Sequence, residues 1–161
     1  MLKEAMVATS LLSHGQEPTP TPERFVERYV EAWAARDPEA VAALWSPEGV
    51  LTSPLYERPI LGSEIAELTR SQFTRNPDLT WTLIEWATQG ETYALEFRNT
   101  FTVRGQIFEM RGVDWMRVRD GRIVEERVYL DTAPVRALRD GQQLEPVVRL
   151  PPAAPLPAGA R

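Results

Sequence analysis

The stretch GVDWMRVRDGRIVEERVYLD, residues 112–131, decides how the chain folds. Its central Asp120-Gly121 separates two runs in which apolar and polar side chains alternate. An Asp-Gly pair between such runs marks a tight hairpin, because both residues tolerate positive φ. Side chains two apart on a strand share a face. Gly112, Asp114, Met116 and Val118 therefore face the same way as Val124, Glu126, Val128 and Leu130. Asp114 then stands within a mostly apolar row. A carboxyl group there is heavily desolvated unless paired or protonated, so its pKa is expected to rise and the neutral acid can donate a hydrogen bond.

The alternation continues toward the amino terminus. Segments 79–86, 92–103, 106–119 and 122–131 read as four strands joined by turns at Gln89-Gly90, Arg104-Gly105 and Asp120-Gly121. The inward row then gains Leu95, Phe97, Asn99, Phe101, Phe108 and Met110. On the opposite face, Glu96, Arg98, Glu109, Arg111, Trp115, Arg117, Glu125, Arg127 and Tyr129 mix opposite charges with aromatics. Such a face can pair charges across strands, and it is the expected surface of a homodimer.

Before residue 79 the period is helical. Thr21-Pro22 is a start signal, and Phe25, Val26, Tyr29, Val30 and Trp33 recur on one helical face. Asp37-Pro38 opens a second helix carrying Val41, Leu44 and Trp45, which 46–49 stops. Segment 50–53 reads as a short strand, followed by a loop with Pro54, Tyr56 and Pro59. Gly62 and Ser63 open a third helix through Ile65, Leu68 and Phe73, closed by Asn76-Pro77. Three N-terminal helices packed on one face of a strongly curved, mostly antiparallel sheet define an α+β fold. One domain over 21–135 is expected, with a flexible tail over 1–20 and an extension over 136–161 that ends in the low-complexity PPAAPLPAGAR.

Composition narrows the function. The chain has 161 residues, 43% of them hydrophobic, which suits a single core. A formal charge of −5 without a basic run argues against nucleic acid as a partner. With no cysteine and the single histidine His14, neither a metal site nor thiolate chemistry is expected, and no cofactor is implied. No apolar run is long enough to span a bilayer, and the terminus MLKEAMVATSLLSHG is a weak secretion signal. A cytoplasmic protein that meets a small hydrophobic molecule rather than a membrane is the expectation.

Three stretches carry a resemblance: RYVEAWAARDPEAVAALW, LTSPLYERPILG and the hairpin quoted above. Over 21–135 the chain resembles the nuclear transport factor 2-like superfamily, in particular its SnoaL-like and ketosteroid isomerase-like members, whose curved sheet closes over helices as a cone-shaped pocket. The resemblance places the isomerases' oxyanion-hole tyrosine at Tyr29 and their aspartic acid at Asp114. In that isomerase the acid is kept neutral by its apolar site, and the resemblance implies the same for Asp114. The isomerases' proton-shuttling aspartate falls on Ser53, just before Pro54. A serine hydroxyl cannot hold a proton reversibly near neutral pH, and loss of a general base slows such reactions by ~10²- to 10⁴-fold. In the similar SnoaL-like polyketide cyclases and limonene epoxide hydrolases a catalytic aspartate falls at Val128. Glu126 stands near the cyclases' histidine and is the spare carboxylate.

Two functions follow as expectations. The first is an isomerase-, cyclase- or lyase-like enzyme that stabilises an enolate with Tyr29 and Asp114, using Glu126 or a group on the substrate as base. The second is a non-catalytic pocket for an apolar ligand bearing a hydroxyl or carbonyl. Ser53, Tyr56, Phe97, Asn99, Phe101, Met110, Met116, Val128 and Leu130 are the expected ligand-binding residues in either case, and self-filling of the cone by its own side chains is the blander alternative.

Overall fold

The first helix, α1 (Pro22–Ala35), starts where Thr21 accepts a hydrogen bond from the Arg24 N–H at 3.3 Å and Pro22 occupies the first turn. It buries Phe25, Val26, Tyr29 and Ala32. Arg36 ends it in a left-handed conformation, φ 54°. The Arg36 guanidinium donates to the carbonyls of Phe73 and Asn76 at 3.2 Å each and to that of Leu79, and lies 4.5 Å from the Phe73 ring centroid. One cation thus ties the end of α1 to the end of the third helix, where unpaired carbonyls favour positive charge. The computed structural model describes residues 19–133 and Asp140. Most of the expected tail over 1–20 and of the extension over 136–161 lies outside the described residues.

The second helix, α2 (Pro38–Ala42), is shorter than its apolar spacing predicts. Asp37 caps it by accepting from the Glu39 and Ala40 N–H groups at 3.0 and 3.1 Å. Trp45, expected on the helix, instead begins strand β1 (Trp45–Thr52). Sheet pairing explains the difference: Trp45 lies opposite Ile123 in parallel register, and the Ile123 N–H donates to the Leu44 carbonyl at 2.8 Å. Regular pairing breaks between Trp45 and Val50 and resumes there, so the sequence alone shows only the strand's second half. A two-residue strand, β2 (Ile60–Leu61), read from sequence as loop, pairs with Val50 and Leu51. A 3-10 turn then leads into α3 (Ile65–Arg75).

The meander follows as β3 (Thr80–Gln89), β4 (Thr92–Val103), β5 (Gln106–Arg119) and β6 (Arg122–Leu130). The six-stranded sheet has the order β2-β1-β6-β5-β4-β3, and only the β1–β6 pair is parallel. Arg104, Gly105, Asp120 and Gly121 all have positive φ, as two-residue hairpin turns that match the strand twist require. One expected facing is wrong. Arg117 pairs with Glu125 but Val118 pairs with Ile123, so Val124 is the extra residue of a bulge. Ile123 is fully buried in its place, while Val124 is partly exposed. After the bulge the expected alternation holds, with Glu126 inside and Tyr129 exposed on the outer face.

On that outer face, Arg127 and Arg117 lie 4.7 and 5.9 Å from the Trp115 ring centroid, and Arg127 pairs with Glu125 at 2.5 Å. The inner face, α1 and α2 enclose the main hydrophobic cluster, including Phe25, Leu44, Leu95 and Met116. No helix among the described residues is long and apolar enough to cross a membrane.

Candidate functional site

Between the helices and the sheet lies a cavity with a volume of about 80 Å³ open to water-sized molecules. Tyr29 reaches it from α1, Ser53 from the end of β1, Tyr56 from the following loop, and Asp114 and Glu126 from β5 and β6. Register explains the meeting of the two acids. Asp114 pairs with Val128, which puts Glu126 one diagonal step away on the same face. Glu126 also lies opposite Leu51 of β1.

The Tyr29 hydroxyl donates to Asp114 Oδ2 at 3.2 Å. Burial raises the Asp114 pKa to about 7, while hydrogen bonding from Tyr29 and then Trp81 opposes the rise. Burial, followed by the negative charge of Asp114, pushes Glu126 well above the usual carboxylate range. Burial also raises Tyr29, helped by the two acids, so its phenol stays protonated. Glu126 Oε2 is buried without a hydrogen-bond partner. Asp114 is therefore the better-supported carboxylate, since a donor faces it, and Glu126 is the natural holder of a proton. This differs from the order implied by the resemblance, in which Asp114 donates and Glu126 accepts.

Ser53 is buried at the cavity wall, and its hydroxyl oxygen accepts from the Leu55 N–H at 3.3 Å, closing the turn into the loop. It holds backbone there and offers no carboxylate. The Tyr56 hydroxyl accepts from Gln72 Nε2 at 2.7 Å, which pins the loop to α3. Of the other expected ligand-binding residues, Phe97, Asn99, Val128 and Leu130 line the cavity. Phe101, Met110 and Met116 do not. Phe101 and Met110 lie toward the 104–105 turn, whereas Met116, directly opposite Glu126, is taken up by the main hydrophobic core. Phe101 packs on Phe108 at 4.9 Å next to the 104–105 turn, Met110 is buried nearby, and Met116 is fully buried in the core opposite Tyr93. The cone is thus partly filled by its own side chains and partly open.

Three tryptophans that sequence reasoning did not assign to the site also line the cavity: Trp33, Trp45 and Trp81. Trp33, Trp81 and Phe97 stack in series, at 6.2 Å and 23°, then 5.8 Å and 26°. The signal for Trp81 was available, since it alternates with Leu79 and Leu83 as inward strand residues do. Trp33 follows Tyr29 by four positions, so the two share a helical face. Among the described residues no three histidine, cysteine, aspartate or glutamate side chains converge as metal ligands would.

The architecture around this buried polar centre is the nuclear transport factor 2-like fold. The chain belongs to the SnoaL-like domain family, whose profile matches residues 26–126. Solved structures agree on the fold. A loop-truncation variant of IdmH is 26% identical, with a TM-score of 0.63, covering 72% of this chain and 97% of that one. Wild-type IdmH from Streptomyces antibioticus, provisionally assigned as a polyketide cyclase, is 23% identical, with a TM-score of 0.64 and coverage of 75% and 99%. A protein of ketosteroid isomerase-like fold from Catenulispora acidiphila, solved with trimethylamine, is 17% identical, with a TM-score of 0.65 and coverage of 79% and 100%. No functionally curated protein sequence matches the chain.

Proposed function

We propose that the chain is a proton-transfer enzyme of the isomerase or cyclase type, acting on a small, largely apolar carbonyl compound through Tyr29, Asp114 and Glu126. The observation that carries this reading is the pairing of a bonded acid with an unbonded one. Asp114 accepts from Tyr29 while Glu126 Oε2, in the same cavity, has no partner. Two carboxyl groups whose surroundings differ in this way divide the roles of base and acid.

In the proposed step the Asp114 carboxylate takes a proton from the carbon beside the carbonyl, and the C–H electron pair moves into a new C=C bond. The carbonyl π electrons move to oxygen, where the Glu126 O–H supplies a hydrogen bond or the proton itself. Returning the proton to a different carbon gives isomerisation. Attack of the enolate on an electrophile within the same molecule gives cyclisation. Preorganised donors in a dry site can contribute ~10²- to 10³-fold each to such a step. IdmH's provisional assignment as a polyketide cyclase is compatible with the second outcome.

Deuterium uptake at the α-carbons of 2-indanone in D₂O, followed by proton NMR, tests the proposal. Exchange above the buffer rate is expected for the wild type. An amide at 114 cannot take a proton, so Asp114→Asn should abolish exchange. An amide at 126 still donates, so Glu126→Gln should keep a fraction of the rate. The opposite pattern would restore the order implied by the resemblance. No exchange by the wild type, with phenol still bound, would overturn the enzyme reading in favour of a non-catalytic pocket.

The homodimer remains part of the proposal, through the outer face around Trp115, Arg127 and Tyr129, where an exposed Tyr129 adjoins paired charges. Tyr129→Glu should convert a dimer to a monomer in sedimentation, and an unchanged mass would remove that surface from consideration.

A further inference from the structure

Exposure divides the cavity wall into a floor and a rim. Asp114 and Glu126 are buried, whereas Leu55 is exposed and Tyr56, Leu68, Gln72 and Leu130 are half-buried. A ligand seated on the acids therefore extends toward the loop after β1 and the face of α3. At that rim one polar group has a hydrogen left to give. The Tyr56 hydroxyl oxygen accepts from Gln72 Nε2 at 2.7 Å. A phenol carries a single hydrogen, and accepting a bond leaves that hydrogen to point elsewhere. Among the described residues nothing accepts it. Burial raises the Tyr56 pKa, so the hydroxyl keeps its proton, while the bond from Gln72 and the charge of Arg75 oppose the rise and polarise the O–H. The loop also holds the ring in place. The Tyr56 N–H donates to the Ser53 carbonyl at 3.2 Å, and Arg58, near the loop's far end, pairs with Glu64 at 2.5 Å. A donor fixed before its ligand arrives loses little freedom on binding.

We propose that Tyr56 is a specificity-determining donor and Gln72 its positioning residue: an acceptor oxygen on the ligand, separate from the reacting carbonyl, receives the Tyr56 O–H. The ligand class is therefore an apolar carbonyl compound with a second acceptor oxygen, an ether or a further carbonyl, on the side that meets the rim. This inference rests on the proton-transfer reading of the same cavity and deepens it. Gln72 sets the direction, since an amide N–H facing the phenol oxygen leaves the phenol hydrogen for the ligand. A carboxylate at 72 would take that hydrogen itself while still tying the loop to α3. A site built to bond an oxygen discriminates against the analogue that lacks it, because the donor is then stranded.

Calorimetric titration of the three methoxyphenols and the three ethylphenols into the full chain tests the assignment, each pair differing by an ether oxygen in place of a methylene. At least one methoxyphenol should bind ~5-fold more tightly than its ethyl counterpart. That ratio should fall to about one in Tyr56→Phe and in Gln72→Glu, while the ethylphenol itself binds within about two-fold of wild type in both. No oxygen preference in the wild type, or a preference that survives Tyr56→Phe, overturns the role of Tyr56. A preference unchanged in Gln72→Glu overturns the role of Gln72. Equal losses for both ligands in either variant would mean that the pair only ties the loop to the helix, which also overturns the proposal. 2-Indanone has no second oxygen, so its exchange by the wild type reports on the proton-transfer reading alone. Exchange without an oxygen preference overturns only the Tyr56 assignment, and a preference without exchange overturns only the catalytic step.

Discussion

Asp114 and Glu126 enter one cavity from neighbouring strands, and the charge on Asp114 makes Glu126 harder to ionise. Both acids are buried, and both have folded-state pKa values above those of an exposed carboxyl group. The folded protein therefore holds protons that the unfolded chain has already released once pH exceeds about 4. Stability from this source is fully present below that pH and is lost as pH rises through about 7, the value for Asp114. One such group gives a slope of about 1.4 kcal/mol per pH unit. Urea midpoints should fall between pH 5 and 8 in the wild type and fall less in Glu126→Gln, which should be the more stable protein at pH 8. A wild-type midpoint that rises over this range would contradict two buried acids whose pKa values are raised on folding.

Tyr29→Phe removes one oxygen and leaves the ring, including its edge contact with Trp81 at 5.2 Å. Asp114 Oδ2 loses its donor, which should reduce stability by about 1–3 kcal/mol. Because that hydrogen bond lowers the Asp114 pKa, its loss should raise the value above about 7. Carbon-13 NMR of the labelled carboxyl group reads the shift directly. A value unchanged or lower would mean that the phenol is not the partner of the carboxylate in solution.

The hairpin over 112–131 made Asp114 and Glu126 legible as inward acids, because strict alternation fixes facing until something interrupts it. The interruption at Val124 was not legible, since a bulge depends on pairing with Val118 and leaves no local mark on so regular a run. β1 was half hidden for a similar reason. Trp45 has helical spacing from Val41, but the backbone pairing of its neighbourhood with Ile123 prevails. Alternation also overstated the pocket. It placed Phe101, Met110 and Met116 on the correct face, yet which part of that face stays open depends on what packs onto it, as the core does on Met116, and period alone does not encode that.

Gly112 sits where β5 passes the cavity wall. A Cβ there would lie 2.7 Å from Phe97 Cζ and 2.7 Å from the Tyr129 carbonyl oxygen. The ring can yield only by moving, and the carbonyl belongs to the paired strand β6. Gly112→Ala should therefore cost about 1–3 kcal/mol, the usual penalty for overfilling a packed interior. Phe97 lines the cavity, so the same variant should weaken phenol binding several-fold in calorimetry. Destabilisation without a change in phenol affinity would show that the strain is relieved in the sheet and not through Phe97.

Ser53→Asp would add a third carboxyl group to the cavity that already holds Asp114 and Glu126. Ser53 is buried, and its hydroxyl supports the Leu55 N–H, a bond that an aspartate oxygen can also accept. The backbone turn should therefore survive. An additional buried charge near two acids is unfavourable when ionised, so the variant should match the wild type below about pH 4 and lose about 1–3 kcal/mol or more by pH 8. An ionisable base at this wall is also what the ketosteroid isomerase resemblance lacks here. Exchange at the α-carbons of 2-indanone should rise by ~10-fold or more, within the range attributed to a positioned general base. A variant that shows the pH-dependent loss of stability but no gain in exchange would mean that the bound ketone does not present its α-carbon to position 53.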